Sequence, residues 1–365
     1  MDRRHFLITG AALPLATALP RAARAQHLPF DPQPGGWRTF EITTRVEVLA
    51  PAGATRVWLP VPVVADGSQQ PLDSSWTGDA ATMRIVHDGK HGAAIFYAEW
   101  PTPPAAPTVT LSSRFMTRDR AANLVRPDPS IRLDPADAKF YTAPTELQPT
   151  DGIVRRTALE ITRGARTELA RSRAIYEWIV DNTERDPKTR GCGVGDIKAM
   201  LETGNLSGKC ADLNALYVGL ARAVGLPARD IYGIRVARSN FGYRSLGAGS
   251  ANVTRAQHCR AEVFLTGYGW VPVDPADVRK VVLEEKAQPT TLADPVVPPV
   301  RRKLFGAWEM NWLAFNTAHD VALPGAKGPT LGFFMYPQLE TARGRADPLD
   351  PDNFKYTITA REIKA

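Results

Sequence analysis

The sequence of 365 residues contains only three cysteines, Cys192, Cys210 and Cys259, and only six histidines. Beyond its first 25 residues, no stretch is apolar enough to cross a bilayer, so we expect no stable membrane insertion. No run of lysine and arginine carries interleaved aromatic residues, which argues against nucleic acid as a partner. Internal repeats are absent as well. A chain of this length accommodates two globular domains.

The first residues are typical of an export signal. Arg3 and Arg4 precede a short apolar stretch, and Ala23 and Ala25 occupy the two positions that a signal peptidase recognises. Paired arginines indicate the twin-arginine route, although a plain secretory signal with a chance arginine pair is the alternative. We therefore predict a twin-arginine signal peptide at residues 1–25 and a periplasmic protein that is soluble after export.

Removing this signal changes the charge of the protein. The whole sequence has a formal net charge of +7, and the signal takes away four arginines and one aspartate, which leaves +4. This modest charge gives no second indication of a nucleic-acid partner.

Alternating apolar and polar residues predict short strands in the first third of the chain. They lie at residues 40–48, 55–62, 82–86, 94–98 and 109–115, with Gly, Pro, Asp and Ser between them. This pattern is typical of an antiparallel sandwich. We predict an N-terminal β-sandwich domain at residues 26–126 and a linker rich in proline and aspartate at residues 127–148.

Helical and strand patterns follow. We predict helices at 153–163, 168–182, 196–201 and from Cys210 onwards, and strands at 230–236, 257–265 and 270–275. Residues 276–305 look like a surface excursion, whereas 310–315, 320–323 and 331–336 look like closing strands of the same sheet. The prediction is an α+β catalytic domain at residues 149–345 and a C-terminal tail, 346–365, with one terminal strand.

Cys210 lies at the predicted start of a helix, directly after a polar loop that contains Gly208. The unpaired N–H groups and the positive end of the helix dipole favour a thiolate there, and they can also stabilise an oxyanion. A cysteine in this position, considered alone, is more often a buried structural thiol than a nucleophile.

Two further residues make the nucleophile interpretation stronger. His258 lies in the predicted strand 257–265, and Asp274 ends the next strand after a Gly-Tyr-Gly turn. A cysteine, a histidine and an aspartate supply a nucleophile, a base and a group that orients the base.

The sequence resembles the bacterial transglutaminase-like cysteine enzymes, distant relatives of the papain-like proteases. The resemblance rests on GKCADL at 208–213, on His258 with AEV at 261–263, and on GYGWVPVDP at 267–275. It covers residues 140–340 and implies a core of helices packed on an antiparallel sheet. It also implies a Cys210–His258–Asp274 triad. At Cys259-Arg260 the family commonly has Ala-Trp, so this wall beside the histidine departs from the pattern.

The resemblance implies an exported enzyme that opens an amide of a protein or peptide through a thioester on Cys210. Hydrolysis by a peptidase or amidase is favoured, because no residues for an amine site are evident. A transglutaminase that cross-links a protein glutamine to an amine is one alternative. A silent envelope binding protein is another, although silent relatives should have lost part of the triad. No cofactor and no metal are expected, and the oligomeric state stays open.

Other patterns receive less specific interpretations. His258 and Glu262 would suit a metal pair only on a helix, and a strand is predicted there. Residues 239–255 form either a substrate lid or a long hairpin connection. Cys192 and Cys259 form either a disulfide or two free buried thiols, and strand alternation predicts that Cys259 points away from the catalytic side.

Overall fold

The computed structural model describes residues 29–364, so the predicted signal peptide at residues 1–25 lies outside the described residues. The described chain combines α-helices with mostly antiparallel sheets, which confirms the predicted α+β class. No helix within residues 29–364 has the length and the apolar character needed to cross a membrane.

Strands occupy the first third of the described chain, as their alternation predicts. They are β1 (Arg38–Glu47), β2 (Thr55–Val61), β3 (Gln69–Gly78), β4 (Thr82–His87), β5 (Ala94–Trp100), β6 (Thr108–Thr117) and β7 (Arg120–Ala121). Sequence reasoning missed β3, because most of its side chains are exposed and show no apolar alternation.

Helices and strands then follow in mixed order. They are α1 (Pro135–Thr142), α2 (Gly152–Ile161), α3 (Glu168–Asn182), β8 (Glu184–Arg185), α4 (Ile197–Thr203), β9 (Ser207–Gly208), α5 (Cys210–Ala223), β10 (Ala228–Arg235), β11 (Gln257–Leu265) and β12 (Gly269–Val273). Helix α1 lies in the segment predicted as a linker, where Asp134 caps its N-terminus by accepting a hydrogen bond from the Ala136 N–H.

The last part of the chain differs most from expectation. It contains α6 (Pro275–Glu284), α7 (Val297–Lys303), β13 (Ala307–Trp308), β14 (Trp312–Asn316), β15 (His319–Val321), β16 (Leu331–Phe333), β17 (Gln338–Thr341), β18 (Gly344–Arg345) and β19 (Lys355–Ile363). The surface excursion predicted at 276–305 is wrong, since α6 and α7 occupy most of it and bury Val278, Val281, Val297 and Val300.

Two sheets form the N-terminal sandwich, and the end of the chain completes both. One has the order β19-β1-β6-β3 and the other β18-β17-β2-β5-β4. A shared apolar core that includes Val46, Leu59 and Phe96 joins them. The predicted terminal strand exists as β19, but it joins a sheet of the sandwich as the antiparallel neighbour of β1. The predicted domain limits stay a prediction.

The sheet that carries the candidate site has the order β12-β11-β10-β14. Residues 331–336 do not close it, contrary to the prediction, because β16 pairs with β15. Val321 and Phe334 pack instead against Trp58 and Tyr97 of the sandwich, which draws this segment away from the sheet.

Both faces of this sheet are covered. Helix α5 packs on one face, whereas Phe40 and Phe115 of the sandwich pack against Ile234 and Leu313 on the other. Strands β10 and β11 are therefore buried along almost their whole length. This double cover holds the strand of the candidate base rigidly against the helix of the candidate nucleophile.

Substitution of Gly233 provides a test of the close packing of this sheet. A Cβ atom there would lie 2.1 Å from the Leu313 carbonyl oxygen and 2.5 Å from the Trp312 ring. We expect Gly233→Ala to lower the free energy of unfolding by about 1–3 kcal/mol, as overpacking does. Urea unfolding measures this, with Gly36→Ala as the control, because a Cβ at Gly36 meets nothing within 4 Å. Equal effects of both changes would contradict the prediction.

Candidate active site

Cys210 is the first residue of α5, as predicted, and the whole of α5 is buried. The Asp212 side chain caps the N-terminus of this helix. One of its carboxylate oxygens accepts a hydrogen bond from the Lys209 N–H at 2.9 Å. The other accepts from the Val194 and Gly195 N–H groups, each at 2.9 Å. The same carboxylate therefore caps the helix and fixes a neighbouring loop to it.

That loop contains Gly191-Cys192-Gly193-Val194-Gly195. Gly193 has φ +93°, and a Cβ there would overlap the Asp212 carboxylate. The carbonyl of Cys192 accepts the Ala211 N–H at 2.9 Å, so this amide is not free to bind an oxyanion. The glycines thus permit close approach of Cys192 to the start of α5.

The three thiols of the protein consequently lie close together. The sulfur atoms of Cys192, Cys210 and Cys259 all lie within 4.8 Å of one another. The expectation that Cys259 points away from the catalytic side is wrong. Cys259, Ala261 and Val263 form the face of β11 that packs on α5, so Cys259 lies beneath the first residue of that helix.

The two neighbouring thiols stabilise a thiolate on Cys210. A hydrogen bond from Cys192 lowers the pKa of Cys210 most, and hydrogen bonds from Cys259 and His258 lower it further. These contacts outweigh burial and hold the pKa well below the ordinary thiol range. The hydrogen bond to Cys210 and burial conversely raise the pKa of Cys192, which stays a protonated donor.

His258 and Asp274 are in direct contact. The His258 Nε2 atom lies 2.8 Å from Asp274 Oδ2, and both side chains are buried. With Nε2 directed at the carboxylate, Nδ1 is the ring nitrogen left for the Cys210 thiol. The Trp312 indole N–H donates to the His258 carbonyl at 2.9 Å and fixes the backbone of the same residue.

Asp274 has a second structural role as the N-cap of α6. Its Oδ1 accepts the Asp277 N–H at 3.0 Å and the Asn214 side-chain amide at 3.3 Å. Asn214 belongs to α5 and also donates to the Cys259 carbonyl at 2.8 Å. The carboxylate therefore connects α5, α6 and the histidine.

Sequence reasoning missed a second carboxylate, Asp277, whose Oδ1 lies 3.4 Å from His258 Nε2. Arg235 binds Asp277 through two hydrogen bonds, at 2.6 and 2.8 Å. The signal that could have found Asp277 is Asp274-Pro275, an N-cap followed by proline at the first helical position, which indicates a helix from there.

These carboxylates keep His258 protonated. Burial lowers the pKa of His258, but the charges of Asp277 and Asp274 outweigh burial and raise this pKa to about 9. Because the pKa of Cys210 is lowered, thiolate and imidazolium coexist at neutral pH. This is the ionisation state required of a cysteine nucleophile paired with a general acid.

The structure explains the position of Arg260, where the sequence departs from the Ala-Trp pair common in the family. Arg260 is 2% exposed, and its guanidinium lies over the rings of Trp308 and Trp312. Its Nε atom is 3.5 Å from Asp274 Oδ2, so it faces the carboxylate and does not line the cavity. Arg260 contributes positive charge behind the base.

A cavity of about 570 Å³ leads to Cys210 and His258. The segment 239–255, interpreted as a lid or a connection, forms one wall through Gly247, Ala248 and Asn252. It is anchored where Ala248 N–H donates to Ala237 and Val253 N–H donates to Ile358. Residues between 348 and 356, assigned to the C-terminal tail, also line the cavity.

Two groups of side chains have the spacing of metal ligands, namely the three cysteines and His258 with Asp274 and Asp277. The second group is committed to internal contacts, since His258 Nε2 faces Asp274 and Asp277 binds Arg235. The His258–Glu262 pair is separated along a strand by about 13 Å, and Glu262 binds Arg120 and Arg229. The expected absence of a resident metal stays a prediction.

A buried cysteine at a helix start, facing a carboxylate-bound histidine in a cavity, defines the class of cysteine nucleophile sites. Comparisons with known proteins agree with this class. Residues 155–275, which include Cys210, His258 and Asp274, match the Transglutaminase-like superfamily. An uncharacterized protein of Haemophilus influenzae is 35% identical over 343 residues, or 89% of this chain and 91% of that one.

One solved structure shares the fold, and a second is reported as more distantly similar. A Cytophaga hutchinsonii protein, provisionally named a cysteine protease, has a TM-score of 0.50 at 18% identity and covers 90% of this chain and 99% of its own. The periplasmic domain of TgpA from Pseudomonas aeruginosa has a TM-score of 0.36 at 15% identity, over 65% and 92% of the two chains. The protein belongs to the bacterial transglutaminase-like family, whose fold supports cysteine-dependent enzymes.

The lowered pKa of Cys210 predicts alkylation in weak acid. An ordinary thiol with a pKa of about 8.5 loses reactivity tenfold for each pH unit below that value. Because the pKa of Cys210 is lowered, its alkylation rate should persist to lower pH than the rate of an ordinary thiol. Iodoacetamide labelling of the folded protein, followed by peptide mass spectrometry, measures the rate. His258→Gln should shift the profile towards higher pH. A rate that rises only near pH 8 would contradict the prediction.

The Cys192–Cys259 disulfide also stays a prediction. All three cysteines are free thiols in the structure, and their sulfur atoms all lie within 4.8 Å of one another, so Cys210 is also within reach of the other two. Denaturing alkylation of the exported protein without reductant, followed by intact-mass analysis, counts the free thiols. One alkylated cysteine, located at Cys210, would support the bridge, and three would rule it out.

Proposed function

We propose that this protein is an exported cysteine hydrolase that opens an amide through a thioester on Cys210. The observation that carries the proposal is the buried contact of His258 Nε2 with Asp274 at 2.8 Å, beside a thiol whose pKa is lowered. A binding protein has no need of a stabilised thiolate, whereas a nucleophile does.

In this mechanism the Cys210 thiolate attacks the amide carbonyl and a carbon–sulfur bond forms. The His258 imidazolium gives its Nδ1 proton to the amide nitrogen, so the carbon–nitrogen bond breaks and an amine leaves. Asp274 keeps the ring oriented and stabilises its positive charge. A thioester on Cys210 and a neutral His258 remain.

Water completes the cycle in the proposed reaction. Neutral His258 takes a proton from water, the hydroxide attacks the thioester carbonyl, and the carboxylic acid leaves as the Cys210 thiolate is restored. A transferase must protect its thioester from water and bind an amine specifically. Apart from the Cys210 thiolate, the charged side chains among the described residues that line the cavity are all Arg, Lys or His, and cations repel a protonated amine. This cationic lining favours hydrolysis.

The proposed roles predict different losses for two variants. Cys210→Ala should abolish turnover, because no other group can form the thioester. Asp274→Asn should reduce kcat/KM by about 100- to 10,000-fold, the range of general acid–base assistance, since thiolate attack is still possible. Lys198→Met, on an exposed face of α4, serves as the control. Urea unfolding of each variant separates lost chemistry from lost folding.

The experiment that tests hydrolysis uses a complex peptide library and detects new termini by mass spectrometry, with and without a primary amine. New carboxyl termini in both conditions support hydrolysis. If the amine-linked product dominates, the reaction is transamidation and the proposal of hydrolysis is wrong. Failure of thiol reagents to label Cys210 in the folded protein would overturn an enzymatic role altogether.

Export through the twin-arginine route is part of this proposal. It is supported by Arg3 and Arg4 ahead of the short apolar stretch. Because that route carries folded proteins, Arg3→Lys combined with Arg4→Lys should leave the precursor in the cytoplasm. Cell fractionation and immunoblotting measure the distribution, with Lys198→Met as the control. An unchanged periplasmic yield of the double variant would refute the route.

A further inference from the structure

The cavity at Cys210 is lined by cations from several elements. The six lining residues of this kind are Arg185, Arg190, Lys209, Arg235, Arg255 and Lys280, and no described lining residue is an aspartate or glutamate. A concave surface that carries one sign of charge raises the local concentration of ligands of the opposite sign. Only the charges that have no partner within the protein are available to a ligand.

The buried centre is balanced in charge. Cys210, Asp274 and Asp277 supply three negative charges, and His258, Arg235 and Arg260 supply three positive ones, all of them in buried side chains. Arg185 and Arg190 have their own partners, since Arg185 pairs with Glu284 and Arg190 pairs with Asp347.

Three lining cations remain without a full partner. No described carboxylate lies within 4.0 Å of the Lys209 ammonium or the Arg255 guanidinium. The Lys280 ammonium is 3.8 Å from Glu284, which also binds Arg185. Lys280 is 17% exposed, and its burial, together with the charge of Arg235, lowers the pKa of Lys280 to about 8. An anion beside it would supply the missing opposite charge.

These three residues line the same cavity as the reacting pair. Lys209 immediately precedes Cys210, and Arg255 lies three residues before His258. Lys280 lies one turn beyond Asp277 on α6, because residues three apart share a helix face. A molecule that enters this cavity to present an amide to Cys210 therefore shares the cavity with these cations.

We propose that the cavity selects acyl donors that carry a carboxylate beside the scissile amide, with Lys209, Arg255 and Lys280 as specificity-determining residues. The cavity volume of about 570 Å³ suits a short peptide segment or a small amide and is within the usual range of ligand pockets. Acidic peptides fit this charge pattern, whereas lysine-rich peptides are repelled by it. The inference rests on the proposed acyl-transfer function and specifies its substrate class.

The first test compares three acetylated peptide libraries that differ only in one fixed residue, which is glutamate, glutamine or lysine. New termini measured by mass spectrometry should give the order glutamate, glutamine, lysine, with a preference of about tenfold or more for glutamate over its uncharged isostere. The KM of the glutamate substrate should rise with ionic strength, since salt screens the attraction. Equal cleavage of the three libraries would overturn the selectivity and leave hydrolysis intact.

Variants then assign the selectivity to named residues. Arg255→Gln and Lys280→Met should each raise the KM of the glutamate substrate by about three- to tenfold, with kcat and the glutamine substrate much less affected. Lys198→Met is the matched control, because this lysine lies on an exposed face of α4 outside the cavity. An equal loss in the control, or equal losses with both substrates, would contradict the assignment.

A binding assay separates this inference from the chemistry. In Cys210→Ala, glutarate should raise the melting temperature more than uncharged glutaramide at the same concentration, because ligand binding stabilises the folded state. Lys280→Met in that background should remove the difference. Anion binding without any peptide cleavage would support the charge selectivity and overturn only the proposed hydrolysis. No difference between glutarate and glutaramide would overturn the anionic subsite.

Discussion

The carboxylate of Asp274 is the group on which the candidate site depends. One oxygen accepts from His258 at 2.8 Å, and the other accepts from the first turn of α6 and from Asn214 of α5. The residue is completely buried, so its charge persists only because these donors and nearby cations replace water. Its loss would release the histidine, uncap α6 and leave Asn214 without one of its acceptors. The Asp274 side chain thus both orients His258 and stabilises the start of α6.

The charges around this carboxylate form a compact network. Asp277 raises the pKa of His258, Arg235 holds Asp277 ionised, and Arg260 approaches Asp274 from the side of the tryptophans. Each buried charge has an opposite charge near it, as the high cost of burying an isolated ion requires. The thiolate on Cys210 is stabilised differently, mainly by hydrogen bonds from two neutral thiols. The charge of the His258 imidazolium beside it lowers the pKa of Cys210 further.

This balance at the centre explains why the cations of the cavity are available to a ligand. The β-sandwich, the segment 239–255 and the residues near the end of the chain bring Lys209, Arg255 and the walls of the cavity together. Strand β19 pairs with β1, and this pairing fixes the residues between 348 and 356 that line the cavity at Cys210. The N-terminal sandwich is thus part of the architecture of the site, since it holds the segment that forms one wall.

The sequence by itself determined the local elements that carry Cys210 and His258, and it supplied the three residues of the proposed triad. Helical spacing after Cys210, alternation in β11 and the turn before β12 are short-range patterns, and each is present as predicted. Asp277, Arg235 and the meeting of Cys192 and Cys259 with Cys210 depend on contacts between residues far apart in the chain. Periodicity carries no information about such contacts, because it specifies which face is buried and not what covers that face. The packing of α5 on β11 decided that Cys259 faces the nucleophile, and the pairing of β19 with β1 decided that the end of the chain forms a wall of the cavity.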